Sequence, residues 1–128
     1  SLAGTDFLKG IDLIIPVPLH PSKKRIRGFN QSETIAEGLS EATGVPVGFG
    51  ILERTNKSDT QTRKSRYDRW VNVEGIFSIE DIERLQGRHV LLVDDVITTG
   101  STLESCAVEL LKIDDVRVSV AALAVAVV

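Results

Sequence analysis

The sequence predicts an α/β fold with a mainly parallel central sheet flanked by helices, on three observations. Residues 12–17 (DLIIPV) and 89–93 (HVLLV) are short continuous apolar runs, the pattern of strands buried on both faces. Each is followed by a loop and then by an amphipathic helical stretch, residues 31–43 and 102–112. A further apolar run, residues 116–124, follows the second helix, and strands alternating with helices imply parallel pairing.

Each element has a local reason. Pro16 and Pro18 stop the first strand and force an extended loop through Arg27. Asn30 can cap the first helix, with Glu33 as its reciprocal partner, and Gly44 can close it in a left-handed conformation. Ile35, Ala36, Leu39 and Ala42 form its apolar face. Residues 45–51 alternate Val45, Val47, Phe49 and Ile51, so a second strand is expected there. Residues 54–69 are polar, with helical character from 62 to 71. Residues 75–79 read as an edge strand, and 81–85 as a helical turn before Gln86-Gly87. Ser101 and Glu104 form a capping box for the last helix. Leu103, Cys106, Ala107, Leu110 and Leu111 would face the sheet, and residues 118–128 read as a buried strand.

Bulk properties bound the function. A chain of 128 residues suits one domain, taken here as residues 1–128. Its 42% hydrophobic content and net charge of −3 argue against disorder. The single cysteine, Cys106, excludes an internal disulfide framework and a multi-cysteine zinc site, and fits a reducing cytoplasm. The N-terminus lacks a secretory pattern, and the most apolar stretch is too short to span a bilayer, so no membrane insertion is expected. Charge is unevenly distributed. Residues 20–70 carry ten Lys/Arg against six Asp/Glu, while 74–115 carry three against ten. Basic loops are usually plain solvated surface; a polyanion site gains weight only beside a phosphate pocket.

Such a pocket is legible at residues 93–102 (VDDVITTGST). In open parallel sheets, ligands bind beyond the carboxyl ends of the strands. The turn Thr98, Thr99, Gly100, Ser101, Thr102 leads into a helix N-terminus, whose free N–H groups and dipole attract a phosphate. Hydroxyls add donors, and Gly100 lets the backbone approach the anion. Asp94 and Asp95 would repel that phosphate unless they face another part of the ligand. Vicinal ribose hydroxyls are the natural target, because carboxylates accept strongly from hydroxyl donors. Acid pair followed by phosphate loop therefore reads as a ribose 5-phosphate site. Taken singly, each piece is more often a surface turn or a capped loop; their order between strand and helix favours function. A nucleoside-triphosphate P-loop is excluded, since no Gly-x-x-x-x-Gly-Lys-Ser/Thr occurs.

VLLVDDVITTGST, residues 90–102, resembles the phosphoribosyl-diphosphate (PRPP) motif of type I phosphoribosyltransferases. Residues 12–39 (DLIIPVPLHPSKKRIRGFNQSETIAEGL) are similar to the first block of the ComF competence-protein family. Residues 60–77 resemble its second. The resemblance implies a type I phosphoribosyltransferase-like fold with its base-recognising hood reduced or missing. It assigns Asp94 and Asp95 to the ribose hydroxyls and to catalysis, and residues 98–102 to the 5-phosphate. His20, Lys23, Lys24, Arg25 and Arg27 fall where the superfamily binds pyrophosphate. Lys57, Gln61 and Arg63 fall in the loop that closes over the reaction. Mg²⁺ is expected to arrive with PRPP, with no direct protein ligand. The family's N-terminal zinc ribbon is absent from this sequence, so no zinc is expected. Lys64 departs from the family pattern, where an apolar residue is usual.

Two functions remain open at this level. One is a pentosyl-transferring glycosyltransferase of nucleoside metabolism, passing phosphoribosyl to an unknown acceptor. The other is a non-catalytic module that binds PRPP, a nucleoside monophosphate or single-stranded DNA, with DNA-uptake proteins as partners. Homodimer formation stays open as well. Tyr67 and Trp70 could stack nucleobases but more often such residues pack a helix onto its core. Cys106 reads as packing and His89 as structural.

Overall fold

The structure, a computed structural model, describes residues 9–18, 31–54, 70–71, 77–97 and 101–125. Its elements run β1 (Leu13–Pro16), α1 (Gln31–Thr43), β2 (Leu52–Arg54), β3 (Trp70–Val71), β4 (Phe77–Ile79), α2 (Ile82–Leu85), β5 (His89–Ile97), α3 (Ser101–Leu111) and β6 (Arg117–Val125). The main sheet is parallel, in the order β1-β5-β6. Its register pairs Leu13 with Val90 and Pro16 with Val93 on one side of β5, and His89 with Arg117 and Asp94 with Ala122 on the other. Pro16 sits at the last position of its strand, and the ladder still extends one step, Val17 N–H donating to Val93 O at 2.8 Å.

Strand alternation divides the core in two. On β1 and β5, Leu13, Ile15, Val90 and Leu92 point to one face, where Cys106 and Leu110 of α3 cover them. Ile14, Leu91 and Val93 point to the other, under Ala36 of α1. Each fully buried aliphatic side chain contributes about 1.5–3 kcal/mol relative to exposure. The three-stranded antiparallel sheet β2-β4-β3 adds Leu52, Phe77 and Ile79 to the α3 face.

Connections from β1 and β5 leave in opposite directions. The chain from β1 passes through α1 and returns as a parallel bridge, Ile14 to Val47, on the free side of β1. From β5 it passes through α3 to β6 on the other side. A crevice between adjacent strands whose connections diverge is where open α/β sheets bind ligands. Helices thus cover both faces of a parallel sheet, the α/β architecture that the sequence predicts.

The structure corrects several expectations. Residues 45–51 make only the single bridge at Val47, because Pro46 has no N–H to donate, and Gly50 turns the chain at φ +76°. Phe49 is consequently 52% exposed. Phe77–Ile79 forms the centre of the antiparallel sheet, not an edge, and Trp70–Val71 pairs with it as strand where the sequence predicts helix. Ala42 is exposed, and Leu111 is 55% exposed at the end of α3. β6 is not fully buried. Among the described residues it pairs only with β5, and Val120 is 46% exposed. β5 runs through both acids to Ile97, four residues past the strand end that the sequence predicts at Val93, and its ladder with β6 continues that far.

Other expectations stand. α1 covers residues 31–43, and Gly44 closes it at φ +79°, its N–H donating to Ser40 O at 2.8 Å. His89 Nε2 lies 2.7 Å from Ser119 Oγ, a cross-strand tie that suits a structural histidine.

Candidate functional site

Asp94 and Asp95 follow Val93 directly, so they lie at the carboxyl end of β5, beside the exit of β1. Both are half-buried. Asp94 Oδ1 accepts the Asp95 backbone N–H at 2.8 Å and the Ser32 hydroxyl at 3.4 Å. Burial pushes the Asp94 carboxyl above its ordinary value. A hydrogen bond shared with the Asp95 side chain and that group's negative charge add to the rise, while the Asp95 amide and Ser32 oppose it. The pair is therefore a strong acceptor set held in a partly dry place.

Ser32 is only 3% exposed and stands in the first turn of α1. The site motifs of the sequence do not include it. A signal for it exists nonetheless: Ser32, Ile35, Ala36 and Leu39 follow helical spacing, so Ser32 continues the apolar face one turn back toward the site.

Arg54, at the end of β2, is the second residue that the motifs miss. Its Nε donates to Pro18 O at 3.1 Å, and its guanidinium lies 5.1 Å from the centroid of the Phe77 ring. Burial lowers its pKa, and the neighbouring Cys106 and Asp94 oppose that fall. Cys106 is fully buried on α3. Burial pushes its thiol up to about 12, with Arg54 acting against and Asp94 and Glu109 with that rise. In the sequence Arg54 is only the first charge of a basic stretch; its pairing with a loop 36 residues earlier is a tertiary fact.

α3 begins at Ser101, with Thr102 partly buried behind it, so a helix N-terminus follows the acid pair as expected. Thr98, Thr99 and Gly100 lie outside the described residues, as do His20, Lys23, Lys24, Arg25, Arg27, Lys57, Gln61 and Arg63. A cavity of about 220 Å³ lined by Asp12, Leu13, Pro46, Arg84 and Arg88 opens at the amino ends of β1 and β5, away from the acids.

Among the described residues, no cluster of three or more His, Cys, Asp or Glu side chains could cage a metal. Asp94 and Asp95 alone suit magnesium held mainly by a ligand's phosphates and water, which needs only one or two carboxylates. No described helix is long and apolar enough to cross a membrane.

The phosphoribosyl transferase domain family matches residues 19–127. Competence protein F of Haemophilus influenzae is 38% identical over 110 residues, covering 85% of this chain and 48% of that protein. DNA utilization protein YhgH of Escherichia coli K12 is 38% identical over 101 residues, covering 79% and 44%. Competence protein ComFC of Bacillus subtilis is 33% identical over 95 residues, covering 74% and 36%. The chain thus spans at most about half the length of these relatives. Among solved structures, adenine phosphoribosyltransferase from Saccharomyces cerevisiae superposes with a TM-score of 0.61 at 17% identity, over 98% of this chain and 63% of that one. The enzyme from Thermoanaerobacter pseudethanolicus gives 0.59 at 21%, over 97% and 64%. At such identity the likeness concerns the fold.

Proposed function

Because the chain belongs to the phosphoribosyl transferase domain family, within its ComF group, we propose that it binds a ribose 5-phosphate ligand, PRPP with magnesium, through Asp94 and Asp95. One observation carries this reading. The half-buried acid pair stands near the carboxyl end of β5, at the divergence of the β1 and β5 connections, in the strand that precedes α3 in the chain. Asp94 and Asp95 accept hydrogen bonds from the vicinal ribose hydroxyls. The phosphate meets the N-terminus of α3 and the hydroxyls of residues 98–102. His20, Lys23, Lys24, Arg25 and Arg27 meet the diphosphate, and Lys57, Gln61 and Arg63 belong to the segment that covers it.

The reaction on this reading is displacement of pyrophosphate from the anomeric carbon by an acceptor nucleophile. Positive charge grows on the ribose ring as the bond to pyrophosphate breaks. The two carboxylates face that charge and stabilise it beyond what they give the ground state. Magnesium, when bound, would offset the charge of the departing diphosphate. The names of the relatives, competence and DNA utilization proteins, support a role in DNA uptake.

Calorimetry with Mg-PRPP, nucleoside monophosphates and single-stranded DNA tests the ligand, and pyrophosphate release with a panel of acceptors tests the enzyme. Asp94→Asn or Asp95→Asn removes a charge-assisted hydrogen bond of roughly 1.5–3 kcal/mol, a ten- to hundredfold loss in PRPP affinity. Turnover should fall further than affinity. Unchanged affinity in both variants would remove the site assignment. Tight PRPP binding without pyrophosphate release would leave the non-catalytic module, and preference for DNA with steep salt dependence would replace the ligand.

A further inference from the structure

Ser32 is a buried hydroxyl on an otherwise apolar helix face. It is 3% exposed in the first turn of α1, one turn before Ala36, which is fully buried in the cluster with Leu91 and Val93 of β5. Alanine would fill such a face without burying a polar group. A buried hydroxyl is tolerated where a hydrogen bond offsets its loss of water. Ser32 Oγ donates to Asp94 Oδ1 at 3.4 Å, a long bond that joins α1 to β5 across 62 positions of chain. The same Oδ1 accepts the Asp95 N–H at 2.8 Å. Donors from two elements thus converge on one carboxylate oxygen.

We infer that Ser32 is a positioning residue: it fixes the plane of the Asp94 carboxylate, so that Oδ2 meets the ribose hydroxyl at a set place. This rests on the reading of Asp94 as the acceptor of ribose hydroxyls, and adds to it the device that aims the acceptor. An aspartate needs one, because its last torsion has broad minima instead of sharp rotamers. The Asp95 amide engages one lone pair of Oδ1 and leaves the carboxylate free to rock about that bond. Both lone pairs of the oxygen lie near the carboxylate plane, so a second donor from another element removes that freedom. Ser32 can serve as a fixed point because α1 is packed on the sheet through Ile35, Ala36 and Leu39. Residues that support an acting carboxylate in this way hold its geometry without touching the ligand. Fixed aim matters most for a group that must face charge growing on the ribose ring, since a small misplacement there costs rate steeply.

The test has a ligand-free and a ligand-bound arm, both on the whole chain at one neutral pH. Without ligand, carboxyl-carbon relaxation NMR reads how freely the Asp94 side chain reorients in the wild type, Ser32→Ala, Ser32→Cys and Ser32→Thr. Ser32→Ala and Ser32→Cys remove the strong donor with little change of size and should loosen the carboxylate. Ser32→Thr keeps the hydroxyl and should hold it as the wild type does. With Mg-PRPP, Ser32→Ala and Ser32→Cys should lose about threefold in affinity by calorimetry and about tenfold in pyrophosphate release at saturation. Ser32→Thr should restore both. An Asp94 carboxylate as ordered in Ser32→Ala and Ser32→Cys as in the wild type overturns the inference. So does an equal loss of affinity and rate that threonine does not restore, which would make Ser32 a packing residue. Should the added methyl of Ser32→Thr unfold the chain, the order of Asp94 in the alanine and cysteine variants decides alone. If the wild type does not bind PRPP, the proposed function fails, while the ligand-free relaxation still decides the role of Ser32.

Discussion

The backbone N–H of Asp95 donates to Oδ1 of Asp94 at 2.8 Å, so the second acid of the pair orients the first with its own amide. An asparagine at position 94 can accept the same bond, and the Ser32 hydroxyl as well. Only the charge is lost.

That separates stability from binding. Burial holds the Asp94 carboxyl above its ordinary value, so the folded chain retains a proton over a pH window in which the unfolded chain has released it. Stability falls as pH rises through that window and stays lower above it. Asp94→Asn should therefore raise Tm at neutral pH by removing that fall, while weakening PRPP binding. Thermal melts across the acid range check this, and a lower neutral-pH Tm in the variant would refute it.

Cys106 behaves as a core residue. With its thiol pushed up to about 12, it stays protonated through the neutral range and is shielded from solvent. A water-soluble thiol reagent at mildly alkaline pH should modify it only as fast as the chain opens. The unfolded thiol ionises at about 8.5, so stability should decline as pH rises from there toward 12. Cys106→Ser buries a hydroxyl among apolar side chains and should cost about 1–3 kcal/mol in urea denaturation. Rapid modification of the native protein would contradict the buried placement.

Two glycines should respond to alanine for different reasons. A Cβ added at Gly44 would meet nothing within 4 Å, but the φ of +79° strains any L side chain, so Gly44→Ala should cost about 1 kcal/mol. At Gly48 the backbone is ordinary and the space is not. A Cβ there would sit 2.5 Å from Ile51 Cδ1 and 3.2 Å from Leu13 Cδ2, both core side chains. Gly48→Ala should cost about 1–3 kcal/mol through overpacking. Trimming Ile51 to Val should recover part of the Gly48→Ala loss and none of the Gly44→Ala loss, as a double-mutant cycle would read.

The parallel layers are legible in the sequence because burial on both faces leaves continuous apolar runs, as at 12–17 and 89–93, and because Gly44 marks a helix end. The acid pair is legible for a related reason: charges directly after a buried strand conflict with its pattern. Residues 45–51 mislead because alternation of Val45, Val47, Phe49 and Ile51 says nothing about Pro46 and Gly50, which break the ladder. Phe77–Ile79 is too short for periodicity to distinguish edge from centre, and its neighbours come from 52–54 and 70–71. Arg54 and Ser32 are hidden for the reason they matter, since each meets its partner across at least 36 residues of chain.

The two faces of β1 and β5 are unequally covered among the described residues. Under α3 the buried cluster takes in β2, β4 and α2 besides the parallel strands; under α1 it is confined to Ala36 and residues near β1 and β5. Opening of α1 therefore exposes less apolar surface than opening of α3. Amides of α1 should exchange with solvent deuterium through partial openings while those of β5 wait for global unfolding. Ser32 travels with α1. Each such opening strips Asp94 of a hydroxyl donor and lets water reach the acid pair, so the acidity of the site is tied to the breathing of the thinner layer.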